Sequence, residues 1–454
     1  MALSGVSSLS HLYHRTFTMA VTDSGSGSQD QEPEFNRDVV LKGSDPIPKE
    51  WSEVSGIEFD DYKGRDITVA EMIAGMTNTG FQATGVAEAV RIINKMRSWR
   101  GPEPGDKSSI FLGYTSNLVS SGLRSTIRYL VQHKHVSYIV TTAGGIEEDL
   151  IKCLSPTYVH SWTAKGANLR EKGWNRIGNL IVPGNNYKDF EDWIIKIYDD
   201  MLEKQQATRN DDKPVVWTPR NVIKRLGMEI GKKPNHESSI CYWAYKNDIP
   251  VFCPAFTDGS LGDMLCNHKF ESHRDYWANK RDAFVKKPPV LDISISRDMH
   301  AICKYARRAK RRGIIILGGG LVKHHIANAC LAADGAEEAV YVNTAQEFDG
   351  SDAGASPEEA LSWGKIAKGG DSVKVFADAT IVFPMIVAAT FAKAQQGVDN
   401  EDPTTGPGGD GEDSKRSDKH KGKSVKRKHE DDGGDPGPSD NGKGKMAIRE
   451  EREA

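Results

Sequence analysis

Cysteine is scarce in this 454-residue chain and badly spaced for cross-linking. The six (Cys153, Cys241, Cys253, Cys266, Cys303 and Cys330) include no C-x-x-C pair. Neither a zinc site nor a disulfide framework is expected, and all six read as reduced, buried thiols. Long apolar runs are missing as well. The longest, ATIVFPMIVAATFA, falls short of the ~20 residues of a membrane span and contains Pro384. It reads as a strand end running into a buried helix. A net charge of only −3 argues against wholesale attachment to nucleic acid or acidic membranes. Nucleotide fingerprints are wanting too: the GGG at 318–320 lacks G-x-G-x-x-G spacing, and no G-x-x-x-x-G-K-[ST] occurs. The first residues, MALSGVSSLSHLYHRTFTMA, carry no acids but only one arginine, thin support for a mitochondrial presequence. A reducing, cytoplasmic setting is the expectation.

What is present divides into three. Residues 1–56 are polar, with Gly-Ser and Asp-Pro segments, and are expected to form a disordered leader. Residues 397–454 offer almost nothing apolar to offset the entropy of ordering, and are expected to be a disordered charged tail. The KHKGKSVKRKHE patch within it is flanked by acids and reads as solvated. Residues 57–396 alternate between two patterns. Short runs read as buried strands: IFLGY, YIVTT, PVFCP, VLDIS, IIILG, AVYVN and VKVFAD. Between several of them lie helical periodicities, such as LRSTIRYLVQH, DFEDWIIKIYDDMLEKQ, MHAICKYARRAKRR and HHIANACLAA. Hydrophobic strands with helical crossovers predict a mostly parallel, doubly wound α/β sheet covered on both faces. The stretch 269–289 breaks this rhythm and reads as a surface insertion.

In such a sheet ligands bind beyond the carboxyl ends of the strands. The segments that follow the strand-like runs are TSNLVSSG, AGGIEEDL, TDGSLGD, GGGLVKHH, TAQEFDGSD and ADA. Together they place glycines, hydroxyls and acids (Glu147, Glu148, Asp258, Asp263, Asp349, Asp352, Glu359) at one edge. Gathered carboxylates suit a metal or a cationic ligand. His324 and His325 are adjacent and diverge on a helix, so a basic ligand such as a polyamine fits better than a metal. In PEEALSWGKI, Pro357 can start a helix, with Glu358 and Glu359 in its first turn. Gly364 would end it after barely two turns and turn Lys365 off the helical wheel. A partly desolvated lysine beside Trp363 is a nucleophile able to form an imine; on an exposed helix it would be merely solvated.

Long strings now carry a resemblance. FLGYTSNLVSSGLRSTIRYLVQH, VTTAGGIEEDLIKCLSPTY, NRIGNLIVP, PAFTDGSLGDM, ILGGGLVKHHIANA, VNTAQEFDGSDAGASPEEALSWGKI and VFADATIVFP together resemble the deoxyhypusine synthase family, from about Gly56 to Lys393. The resemblance implies a Rossmann-like architecture, NAD as cofactor, and a homotetramer with active sites between paired subunits, with no membrane or nucleic-acid partner. It implies that spermidine is oxidised and cleaved, and that its 4-aminobutyl group passes to one lysine of the hypusine-bearing translation factor. By position, Lys365 is implied to hold the butyl imine and His324 to assist proton removal. Trp363 would line the polyamine pocket. Asp263, Asp352, Glu148 and Glu359 would hold ammonium groups, with Glu147, Gly350 and Ser351 nearby. The implied NAD contacts are Ser116, Asn117, Leu118, Val119, Ser120, Thr142, Ala143, Gly144, Glu148, Asp258, Gly319, Thr344, Ala345, Asp378 and Ala379. DITVAEMIAGM resembles part of an N-terminal element that covers a neighbouring active-site entrance. Homospermidine synthase, with putrescine as acceptor, shares nearly all these motifs and is the alternative. An impaired regulatory paralogue is disfavoured because Lys365, His324 and Trp363 are all present.

Overall fold

The computed structural model describes residues 43–279 and 288–393. Residues 1–42 of the expected leader, 280–287 of the expected insertion and all of the expected tail lie outside the described residues. Residues 269–279 continue the long helix Ser260–Asn279 rather than leaving it.

Nine strands are described: β1 (Ser109–Tyr114), β2 (Tyr138–Thr141), β3 (Tyr158–Val159), β4 (Trp174–Ile177), β5 (Leu180–Pro183), β6 (Val251–Phe252), β7 (Arg312–Leu317), β8 (Ala336–Asn343) and β9 (Ile366–Phe376). Six form one sheet in the order β6-β2-β1-β7-β8-β9, and every pairing is parallel. The chain runs outward from β1 through β2 to β6, then returns to β1's other side at β7. Strand order therefore reverses between β1 and β7, where open α/β sheets form their ligand crevice.

The sheet is covered on both faces because its strands are apolar on both. Leu112, Ile315, Leu317, Val340 and Val342 enter one core, with helices Phe81–Ser98, Leu123–Gln132, Ala143–Leu154 and Ala379–Val387. Phe111, Ile314, Ile316, Ala339 and Tyr341 alternate into the other, under helices Ile295–Arg308 and Leu321–Leu331. This two-residue alternation at nearly zero exposure is what a parallel strand between two helix layers requires. Each such aliphatic side chain contributes roughly 1.5–3 kcal/mol by leaving water.

Three expectations need correction. VLDIS (290–294) is not a strand; it makes one isolated bridge, Trp217 to Ile293, and lies outside the six-stranded sheet, its Leu291 and Ile293 packed against the core from an extended segment. ATIVFPMIVAATFA is helical throughout, as Ala379–Val387 and a π-turn Ala388–Ala392, with Pro384 inside. The thiols are not all buried: Cys266 is exposed, and Cys303 is half-buried, packed against the second core. One feature was not anticipated. NRIGNLIVP folds as an antiparallel hairpin, β4 and β5, turned at Gly178 (φ 59°), with β3 pairing on β5's other side.

Candidate active site

The carboxyl edge is assembled strand by strand. After β1 comes the short helix Ser116–Ser120, which carries Ser116, Asn117, Leu118, Val119 and Ser120. After β2, Thr142 leads into the Ala143–Leu154 helix with Ala143, Gly144, Glu147 and Glu148. The two helices pack so closely that a Cβ on Gly144 would lie 2.6 Å from Ser116 Cβ. Lys152 fixes their relation: its ammonium donates to the carbonyls of Val119 (2.8 Å), Ser120 and Ser121 (3.2 Å), ending the short helix. Burial lowers Lys152 to about 8.

Glu147 and Glu148 are both over nine-tenths buried. Glu147 Oε2 accepts the N–H of Leu261 (2.8 Å) at the start of the Ser260–Asn279 helix, whose first turn holds Asp263. Desolvation outweighs those N–H groups and pushes Glu147 up to about 7, with Glu148 and Asp263 adding like charge. Glu148 Oε1 accepts from Tyr187 Oη (3.2 Å), while burial raises its carboxyl. Its Oε2 has no partner among the described residues, and neither have Thr142 Oγ1 or Ser120 Oγ. Buried oxygens without partners are costly and rare, so a polar ligand would complete this wall. Behind it, Asp149 accepts from Arg124 Nε (2.7 Å), Ser239 Oγ (2.7 Å) and the N–H groups of Ile240 and Cys241. It ties three helices together.

The second group lies beyond β7, β8 and β9. Gly318 and Gly320 adopt φ of 86° and 59°, and a side chain on Gly319 would meet Ala353 Cβ at 2.4 Å. This tight turn starts the Leu321–Leu331 helix, which presents His324 at the edge; His324 Nδ1 is 3.1 Å from Asp352 Oδ1. Asn343 at the end of β8 donates to Gly318 O (3.0 Å) and accepts from Ala345 N (3.1 Å), setting Thr344 and Ala345 beside the glycine turn. Gly350, Ser351 and Asp352 follow on the same loop, and Ser351 N–H binds Asp349 Oδ1 (2.7 Å). After β9, Asp378 caps the Ala379–Val387 helix through Thr380 N–H (2.7 Å).

PEEALSWGKI folds as its residues dictate. Pro357 opens the helix Pro357–Ser362, Trp363 caps it, and Gly364 at φ 71° turns the chain out. Lys365 Nζ lies 5.6 Å from the Trp363 ring centroid. The lysine's backbone, however, is not at the carboxyl edge. Its carbonyl accepts from Ala336 N–H at the beginning of β8, so it stands where β9 starts. The short helix has carried the chain back along the sheet. Lys365 and Glu359 nevertheless act electrostatically on Lys323, as Asp352 does.

Two groups of the expected residues are thus held by separate parts of the chain. Glu147, Glu148, Asp258 and Asp263 gather beyond β2 and β6. His324, Asp352, Glu359, Trp363 and Lys365 belong to the β7–β9 side. No hydrogen bond or ion pair among the described residues joins one group to the other. Three residues were missed: Tyr187, which orients Glu148, and the buried lysines Lys323 and Lys374. For the lysines a signal existed, a cation set within the apolar strings LVKHH and VKVFAD.

Fold and site define a doubly wound α/β enzyme whose carboxyl edge is lined by glycine turns and carboxylates. The family model described as deoxyhypusine synthase matches residues 71–390. A deoxyhypusine synthase of Neurospora crassa is 58% identical over 366 residues, covering 81% of this chain and 99% of that protein. The one of Saccharomyces cerevisiae is 49% identical over 391 residues, covering 80% and 96%. A crystal structure of a candidate deoxyhypusine synthase from Entamoeba histolytica superposes with a TM-score of 0.51 at 32% identity, over 75% of this chain and 97% of that one. The chain belongs to the deoxyhypusine synthase family.

Proposed function

We propose that the protein transfers the 4-aminobutyl group of spermidine to a lysine of the hypusine-bearing translation factor, with NAD as cofactor, in the cytoplasm. The observation that carries this reading is the placement of Lys365. Gly364 turns it beside the Trp363 ring, and Lys365, Asp352 and Glu359 all act electrostatically on the same neighbour, Lys323. The partnerless oxygens of Ser120, Thr142 and Glu148, beside the close-packed Gly144 and Ser116, fit a dinucleotide. NAD, when bound, supplies the acceptor and later the donor of a hydride.

The residues of the chain do the rest. Carboxylates hold the ammonium groups of spermidine and stabilise the iminium that develops on oxidation. Asp352 keeps a proton on His324 Nδ1, leaving Nε2 basic to take the proton lost from nitrogen. Trp363 lies against the methylene chain and offers its face to a cation. The Lys365 amine adds to the imine carbon and expels 1,3-diaminopropane, so the four-carbon unit stays bound and protected from water. The acceptor lysine then displaces Lys365, and reduction of the new imine gives deoxyhypusine. The two separate residue groups support completion of each site by a paired subunit, within a homotetramer.

The test uses the purified full chain with NAD, radiolabelled spermidine and the acceptor factor, with putrescine in a parallel reaction. Label is expected on the acceptor, dependent on NAD and lost in Lys365→Ala, with circular dichroism unchanged. Label on putrescine alone would make the protein a homospermidine synthase. Full transfer by Lys365→Ala would remove the imine from the mechanism.

A further inference from the structure

Residues 344–356 join β8 to the Pro357–Ser362 helix and carry Thr344, Ala345, Gly350, Ser351 and Asp352. Their regular structure is one 3-10 turn, Glu347–Asp349, and the large apolar side chain there, Phe348, is 89% exposed. A loop of this composition has no apolar anchor of its own and would ordinarily sample many shapes. Two ammonium groups rooted in the rigid core hold it instead. Lys323, on the Leu321–Leu331 helix and 6% exposed, donates to the carbonyls of Asp352 and Ala355 (3.3 Å). Lys374, on β9 and 9% exposed, donates to the carbonyls of Ala345 (2.9 Å) and Gly354.

Lys323 has one ion-pair partner, Asp352, whose nearest carboxylate oxygen is 3.8 Å from Nζ, but its closer contacts are main-chain carbonyls. Lys374 has neutral carbonyls as its acceptors and the Phe376 ring centroid at 4.3 Å. The two also face each other across β8: Tyr341 pairs in register with Lys374, and its ring lies 5.7 Å from Lys323 Nζ. Burying two like charges close together is unfavourable for the fold as such. Their donors converge on one segment, and that segment bears the ligand-facing residues.

We propose that Lys323 and Lys374 are positioning residues that clamp the 344–356 loop by its main-chain carbonyls. Lys374 sets the cofactor-facing end at Ala345, and Lys323 sets the polyamine-facing end at Asp352. The assignment of the two ends rests on the function proposed above; the clamp itself does not.

The experiment compares full-length wild type, Lys323→Met, Lys374→Met and the double variant, methionine keeping much of the stem while removing the charge. Lys323→Met should raise KM for spermidine at least tenfold with NAD affinity within twofold. Lys374→Met should weaken NAD at least tenfold with the smaller effect on spermidine. Hydrogen exchange across 344–356 should accelerate in each, and the double variant should be non-additive because both pins hold one loop. Loss of thermal stability with both constants and loop exchange unchanged would mean a merely structural role and overturn the clamp. Should a methionine variant not fold, the arginine variant decides: a shifted constant at native stability supports the clamp, and an unshifted one overturns it. If the wild type itself fails to label the acceptor, the functional reading falls, and loop exchange alone then decides the clamp.

Discussion

On the function proposed above, Glu147 should release a proton when spermidine binds, and the amount follows from its surroundings. Burial against the Ser260–Asn279 helix lifts this carboxyl from its ordinary 4.5 to about 7, with Glu148 and Asp263 contributing in the same direction. At pH 6 such a group is roughly 90% protonated, and at pH 7.5 roughly a quarter. An arriving ammonium favours the carboxylate, so binding should expel about 0.9 proton at pH 6 and about 0.25 at pH 7.5. Apparent affinity should then be roughly tenfold weaker at pH 6 than well above pH 7, about 1.4 kcal/mol. Calorimetric titration in two buffers of different ionisation enthalpy reads the proton count directly. Glu147→Gln, which keeps an acceptor for Leu261 N–H, should abolish most of it. The unliganded protein gives the same information with opposite sense. Because the folded pKa is raised, the native state binds more protons than the unfolded chain, and stability falls as pH climbs from about 4.5 through about 7. The full loss, about 3 kcal/mol, is present above pH 7 and should be absent in Glu147→Gln. A binding enthalpy at pH 6 that is identical in both buffers would refute the reasoning.

Asp149→Ala strands Arg124 and uncaps the Ile240–Lys246 helix, and should cost about 3–5 kcal/mol in urea denaturation. His324→Ala should slow spermidine oxidation about 100-fold in stopped-flow absorbance at unchanged melting temperature, since the side chain is half exposed. Gly227→Ala should destabilise by about 1–3 kcal/mol on thermal melting, because its Cβ would fall 2.3 Å from Cys241 O where two helices touch.

Short, β-branched runs with two apolar faces, separated by helical periodicities, were readable because that alternation suits a parallel sheet buried between helix layers. IFLGY and IIILG became β1 and β7 within two residues, and AVYVN became the last five residues of β8, which starts three residues earlier. VLDIS was misread because hydrophobicity alone cannot tell a strand from an extended loop packed on a core. The β4–β5 hairpin escaped notice since its residues alternate weakly and one face is open to solvent. At the site, Gly364 and Lys365 were legible from turn chemistry. That Lys365 stands at the start of β9 was not, because it depends on the direction in which a two-turn helix crosses the sheet. Lys323 and Lys374 required three dimensions: sequence shows a lysine in an apolar string but not which carbonyls it reaches.

The thiols have a practical side. Burial pushes Cys153, Cys241, Cys253 and Cys330 above the ordinary thiol range, so at neutral pH they are poorly ionised and shielded from alkylating dyes. Cys266 is exposed, one helical turn beyond Asp263 and on the same side of the Ser260–Asn279 helix. An environment-sensitive fluorophore attached there under mild conditions would sit at the rim of the acidic wall. The native chain, without engineered cysteines, thus carries an attachment point from which ligand arrival can be followed optically in real time.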